Sequence, residues 1–189
     1  LTAFLFVLNL YSKPTFYLDS PLLFSRILGF VMIFICISLS LFDLKFYWLP
    51  SFITFNGLFI GIISSIFISI YKDFNFSYFL TSLSAALLGY LIFLTLRIFG
   101  EMIFRKPVLG KGDEKLVAFL GSFLGIKGLL ITIWLTFNSA GIFVLTALLS
   151  KKLKRNKKIP LGIFLSFSGL AVWHFGNPLF LNVIFFQPS

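Results

Sequence analysis

A chain of 189 residues with 59% hydrophobic and 20% aromatic side chains carries only 12% charged residues, far below the roughly 25–35% charge of a soluble surface. That composition excludes an ordinary soluble domain and points to a single membrane-embedded domain over residues 1–189. The net charge of +10 sits mostly at the ends of apolar runs, as in cytoplasmic loops, and no aromatic-basic platform accompanies it, so nucleic acid is not an expected partner.

A hydrocarbon core about 30 Å thick takes roughly 20 helical residues per crossing, and runs of that length recur. The expected fold is all-α: a polytopic transmembrane helical bundle of about six complete spans plus a short N-terminal apolar segment. Residues 1–10 are too few to span and read as the tail of a helix or an interfacial segment. Residues 11–21 hold Lys13, Pro14, Asp19 and Pro21 and read as a loop. Leu22 to Phe42 is the first full span, with Arg26 near its start and Asp43 at its far end. The solitary Cys36 lies inside this run; it permits neither an intrachain disulfide nor a cysteine zinc site and is assigned to packing.

Leu44 to Pro50 reads as a turn, with Tyr47 and Trp48 suited to the headgroup belt and Pro50 to the start of the next helix. Ser51 to Tyr71 is the second span, 72–77 a polar break, and Tyr78 to Leu96 the third. Residues 97–115 read as a charged loop containing Gly110-Lys111-Gly112-Asp113-Glu114-Lys115. Leu116 to Leu149 is long enough for two crossings at the lower limit of length, reversing at Gly125-Ile126-Lys127-Gly128, or for one long bent helix. A six-cation run from Lys151 to Lys158 follows, and Pro160 restarts an apolar segment reaching about Phe186.

With the run 151–158 taken as cytoplasmic, alternation puts 43–50 and 97–115 on the same side. Twelve of the 16 Lys and Arg then lie inside, against Lys13, Arg26, Lys72 and Lys127 outside. This bias orients the chain with those segments on the inner side of a membrane and brings Asp43 and Asp113 to one face. Basic juxtamembrane residues also attract anionic lipid headgroups.

Ionisable groups near membrane depth are costly and mark function. Two carboxylates sharing a desolvated site cannot both ionise easily, so one holds a proton while the other can accept one. That is the requirement for hydrolysing a peptide bond through an activated water, with neither metal nor cofactor. Gly110 and Gly112 permit backbone torsions and a close approach that a side chain would block, so a substrate strand can lie against them. Lys115 either holds Asp113 ionised or reaches for the interface. Glu101 and Glu114 are solvated loop acids or acceptors for a basic substrate, and His174 reads as interfacial.

Three motifs in order resemble those of bacterial type IV prepilin peptidases: Asp43 with Leu49-Pro50 and Thr54; Leu109 to Ala118 with the Leu-Gly pairs at 120–121 and 124–125; and Ile159-Pro160-Leu161-Gly162-Ile163-Phe164-Leu165. The resemblance implies an intramembrane aspartyl endopeptidase. Such an enzyme removes the short basic leader of prepilins and pseudopilins, after glycine, at the cytoplasmic face. It makes Asp43 and Asp113 the catalytic pair and gives Gly110, Gly112, Lys115, Pro50, Pro160 and Gly162 roles in substrate binding or loop geometry. Ser51, Leu161 and Ile163 depart from the family pattern. The cysteine-rich methyl-transferring region of bifunctional members has no counterpart in these 189 residues, so cleavage is expected and methylation is not. Two other readings stay open: an ion- or proton-coupled transporter using the same carboxylates, and a non-catalytic membrane protein of pilus assembly.

Overall fold

A computed structural model of the chain describes residues 7, 22–46, 48–71, 74–105, 109–150 and 160–175. Five helices make up the described architecture: α1 (Leu22–Phe46), α2 (Ser51–Tyr71), α3 (Ser77–Phe104), α4 (Lys111–Leu149) and α5 (Leu161–Phe175). Among the described residues there is no strand. The expected segment 1–10 apart from Val7, the loop 11–21, Tyr47, the pair Lys72-Asp73, the basic run 151–158 and the apolar continuation beyond 175 lie outside the described residues.

Four helices, α1 to α4, are long and apolar enough to cross a membrane. The all-helical expectation therefore stands, while the count of about six complete spans is not confirmed among the described residues, where α5 is an apolar helix of 15 residues. Two helices also run past their expected ends. α1 continues to Phe46, so Asp43 lies within its last turns, and α3 continues to Phe104, absorbing Arg97 and Glu101 from the expected loop. Leu, Lys, Arg, Glu and Met are good helix formers, so the helix persists where the hydropathy stops. α3 ends at Arg105 in the left-handed conformation, whose N–H donates to the Glu101 carbonyl at 2.9 Å.

Within α4 the backbone breaks at Gly125, with φ 66° and ψ −179°, a region open in practice only to glycine. The contacts on its two sides show what the break does. Before it, Gly89 of α3 lies against Val117, and Gly121 against the Ala85 carbonyl, while Ser82 Oγ donates to the Ser122 carbonyl at 2.7 Å. This arm, 111–124, is antiparallel to α3. After it, Gly89 lies against Leu129 and the Phe93 ring packs 6.2 Å from that of Phe137, so the arm 126–149 is parallel to α3. The chain turns back at Gly125, inside the stretch expected to reverse, and α4 is neither one bent rod nor two full-length crossings.

The arm 111–124 rises only about 21 Å and occupies the centre of the bundle. Every residue from Leu116 to Gly125 is buried. Phe119 and Phe123 pack edge to face at 5.2 Å, and Phe123 meets Trp173 of α5 at 6.2 Å. A short arm suffices because its ends meet protein rather than the bilayer surface. α2 approaches it through a small-residue face: a Cβ on Gly57 would stand 2.7 Å from Phe119 Cδ2, and one on Gly61 would strike Ser122 and Phe123. Such faces let membrane helices pack by van der Waals contact. The buried hydroxyls on this helix are satisfied internally, Thr54 donating to the Ser51 carbonyl, Ser64 to that of Gly61 and Ser69 to that of Ser65. Cys36 is fully buried in the core, a packing position.

Candidate functional site

Asp43, near the C-terminal end of α1, and Asp113, third residue of α4, are 5% and 6% exposed. Both lie at the same end of the bundle. Asp113 Oδ2 accepts the Gly110 N–H at 3.1 Å, and the Asp113 N–H donates to the Gly110 carbonyl at 3.1 Å, closing the helix start. Gly110 itself is extended (φ −76°, ψ 142°). The Asp43 carboxylate faces the other helix start at this end: the N–H groups of Gly162 and Ile163 in the first turn of α5 act on it. Its Oδ2 is buried and has no hydrogen-bond partner among the described residues. Asp113 thus sits at the positive end of its own helix and Asp43 against the positive end of α5, where an anion is favoured.

Leu49 ties the two halves together. A Cβ on Gly112 would stand 2.6 Å from Leu49 Cβ, and one on Gly162 would stand 3.3 Å from Leu49 Cδ1 and 2.7 Å from Asp43 Oδ2. Glycine at 112 and 162 is therefore what allows the α1–α2 connection to lie between the starts of α4 and α5 without displacing a carboxylate. Pro50 directly precedes α2, its carbonyl accepting the N–H groups of Ile53 at 3.2 Å and Thr54 at 3.4 Å. Pro160 directly precedes α5, where a fixed φ suits a helix start.

Lys115 makes no ion pair with Asp113 among the described residues. Its Nζ donates to Ser51 Oγ at 2.7 Å and lies 5.1 Å from the centre of the Phe55 ring, so it joins α4 to α2 rather than Asp113. Ser51, a departure from the family pattern, is thereby given a partner. Glu114 is no solvated loop acid: it is 3% exposed and paired with Arg97 Nε of α3. Glu101 shares that arginine at 3.7 Å. His174 is buried rather than interfacial, its Nδ1 2.9 Å from the Leu170 carbonyl oxygen. The Arg97–Glu114 pair is the feature that reading the sequence missed; its one visible signal was an acid beside Asp113 in a chain holding six acids in all.

With cations engaged elsewhere, no ion pair to Asp43 or Asp113 is made among the described residues. Nor, among those residues, do three or more His, Cys, Asp or Glu side chains gather as a metal site would require. What remains is two buried carboxylates at one end of the bundle, one beside the Gly110–Gly112 start of α4 and one beside Gly162 at the start of α5, an arrangement suited to acid and base work on one substrate.

The model of the type IV leader peptidase family matches residues 30–145, a segment that includes both aspartates and the central arm. Among curated proteins, the chain is similar to the prepilin leader peptidase/N-methyltransferase of Xanthomonas campestris pv. campestris, 28% identical over 143 residues, covering 76% of this chain and 48% of the relative. It is similar to that of Legionella pneumophila, 31% identical over 176 residues, covering 92% of this chain and 57% of the relative. To that of Aeromonas salmonicida it is 31% identical over 94 residues, covering 50% and 32%. The chain belongs to the type IV leader peptidase family. It spans about half the length of the first two of these relatives, and no solved structure matches it.

Proposed function

We propose that the chain is an intramembrane aspartyl endopeptidase that removes the leader of type IV prepilins and pseudopilins, cutting after glycine, with Asp43 and Asp113 as its catalytic dyad. The observation that carries the reading is the burial of these two acids together at one end of the bundle, Asp113 in the first turn of α4 and Asp43 against the first turn of α5, neither paired with a cation among the described residues.

In this mechanism the ionised aspartate takes a proton from a water, whose oxygen attacks the scissile carbonyl carbon, while the protonated aspartate donates to the carbonyl oxygen. A tetrahedral diol results. In its collapse the aspartate that took the water proton gives it to the leaving nitrogen as the C–N bond breaks, and the other aspartate takes back a proton from a diol hydroxyl as the carbonyl re-forms, restoring one carboxylate and one carboxylic acid. The roles are electrostatic and positional and call for no metal or cofactor. Gly110 and Gly112 leave room for an extended substrate strand. Pro50, Pro160, Gly162 and the Lys115–Ser51 bond hold the three segments in register.

The same reading puts the chain in the bacterial inner membrane with the aspartates toward the cytoplasm. Lys45, Arg97, Arg105, Lys111 and Lys115 lie at the aspartate end, whereas Arg26 and Lys127 lie toward the other, in keeping with the positive-inside bias. A relay for ions through the membrane would need acids along its depth; the buried described acids Asp43, Asp113 and Glu114 share one end.

The test is co-expression of a prepilin with the chain and with its Asp43→Asn and Asp113→Asn forms, followed by mass spectrometry of the prepilin. Each variant should stay in the membrane and leave the leader attached. Cleavage by either one would end the proposal.

A further inference from the structure

Away from the aspartates, α2, α3 and the central arm of α4 enclose a cleft of about 360 Å³. Thr54, Tyr90 and Lys115 lie at its end nearest the aspartates; from there it runs past Ala118 to Ile62 and Leu83 with an apolar lining. Thr54 to Ile62 is eight residues of helical rise, about 12 Å. Leu87 and Leu83 at its mouth are exposed on the outer face of the bundle, where a membrane supplies acyl chains.

The cleft lies on the far side of the central arm from the aspartates. Lys115 follows Asp113 by two residues, so its side chain leaves the helix about 200° around the axis from that of Asp113. A peptide seated in the cleft would have to cross the arm to bring a bond between the two carboxylates.

We propose that this cleft binds one acyl chain of an anionic phospholipid, with the headgroup phosphate held by Lys115. The form is that of a headgroup and a tail: polar side chains at one end, hydrocarbon along the rest. The tail alone gives no preference, because lipid chains are all as apolar as the lining. Selection falls to the cation. Lys115 has three N–H donors and gives one to Ser51 Oγ, leaving the others for phosphate oxygens. Its Nζ stands over Phe55, itself part of the lining, and exposed Lys111 lies one turn back on the same helix face. A substrate's basic leader would be repelled from this end.

The whole chain in nanodiscs of phosphatidylethanolamine and phosphatidylglycerol provides the test. Either lipid, at equal mole fraction, carries a photoactivatable diazirine on its acyl chain, and adducts are mapped by mass spectrometry. Phosphatidylglycerol should label 54–62 and 83–90 roughly fivefold more than phosphatidylethanolamine, the ratio given by about 1 kcal/mol per cation. Lys115→Gln should level the two lipids, Lys115→Arg should keep the preference, and Leu87→Trp, which fills the mouth, should reduce labelling by both. Equal labelling of the unaltered chain overturns the proposal, as does a fivefold preference surviving Lys115→Gln. Labelling no stronger than on the exposed stretch 142–149 reduces the cleft to ordinary lipid contact and also overturns it. A cleft that neither lipid labels is occupied by protein, with the same consequence.

Discussion

Arg97 of α3 is ion-paired with Glu114, the residue that follows Asp113. The pair fastens the first turn of α4 to α3, which carries neither aspartate, so the bearing of Asp113 is set in part from outside the dyad. Breaking a buried pair by removing one partner strands the other charge and costs several kcal/mol. Arg97 keeps some contact with solvent and a second acid in Glu101, whereas Glu114 does not. Arg97→Ala should therefore destabilise more, by about 3 kcal/mol, than Glu114→Gln, by about 2 kcal/mol. The Arg97→Ala/Glu114→Gln double variant should lose less than the sum of its singles. Thermal melts in detergent would measure this cycle; additive losses would show that the pair does not couple.

Gly162 is where substitution should separate catalysis from folding. A methyl there would stand 2.7 Å from Asp43 Oδ2 and must push the carboxylate aside, and a displacement of about 1 Å in a catalytic group can cost about 100-fold in rate. Gly162→Ala should lose cleavage on that scale with little change in melting temperature. Gly141→Ala is the control, because nothing lies within 4 Å of the added methyl; cleavage there should match the unaltered chain.

At Gly125 the expectation is the reverse, a loss of stability first. Its φ of 66° with ψ near 180° is strained for any residue with a Cβ, at about 1–3 kcal/mol. Gly125→Ala should lower the melting temperature whether or not substrate is present. An unchanged melt would mean that the reversal between the arms does not depend on this torsion.

The helical class and the places where charge interrupts it were legible in hydropathy, since a bilayer imposes both. Asp43 and Asp113 stood out because each closed or opened an apolar run. Helix ends were less legible: hydropathy marks where the membrane ends, and α1 and α3 continue past that point through residues with good helix propensity. The central arm misled for a related reason. Residues 116–124 are buried within the bundle and need not match the bilayer thickness, so length was a poor guide to how many crossings 116–149 makes. Partner choice was not legible at all. That Glu114 would meet Arg97, and Lys115 would turn to Ser51, depends on which helix faces meet across the bundle.

The pH dependence of cleavage follows from a dyad that must hold a single proton. With none, no acid is available to protonate the carbonyl oxygen; with two, no base is available to take the proton of water. Activity of the purified chain on a prepilin peptide should therefore rise and then fall with pH. Its two limbs belong to the pair rather than to either aspartate. Falling pH loses activity as the second proton binds, and rising pH loses it as the shared proton leaves. Glu114→Gln removes an acid that is buried beside Asp113 and already paired with Arg97. Under a dyad of Asp43 and Asp113 it should lower the rate while keeping both limbs. A rate profile with a single limb in the unaltered chain, measured where the protein stays folded, would show that one carboxylate works alone.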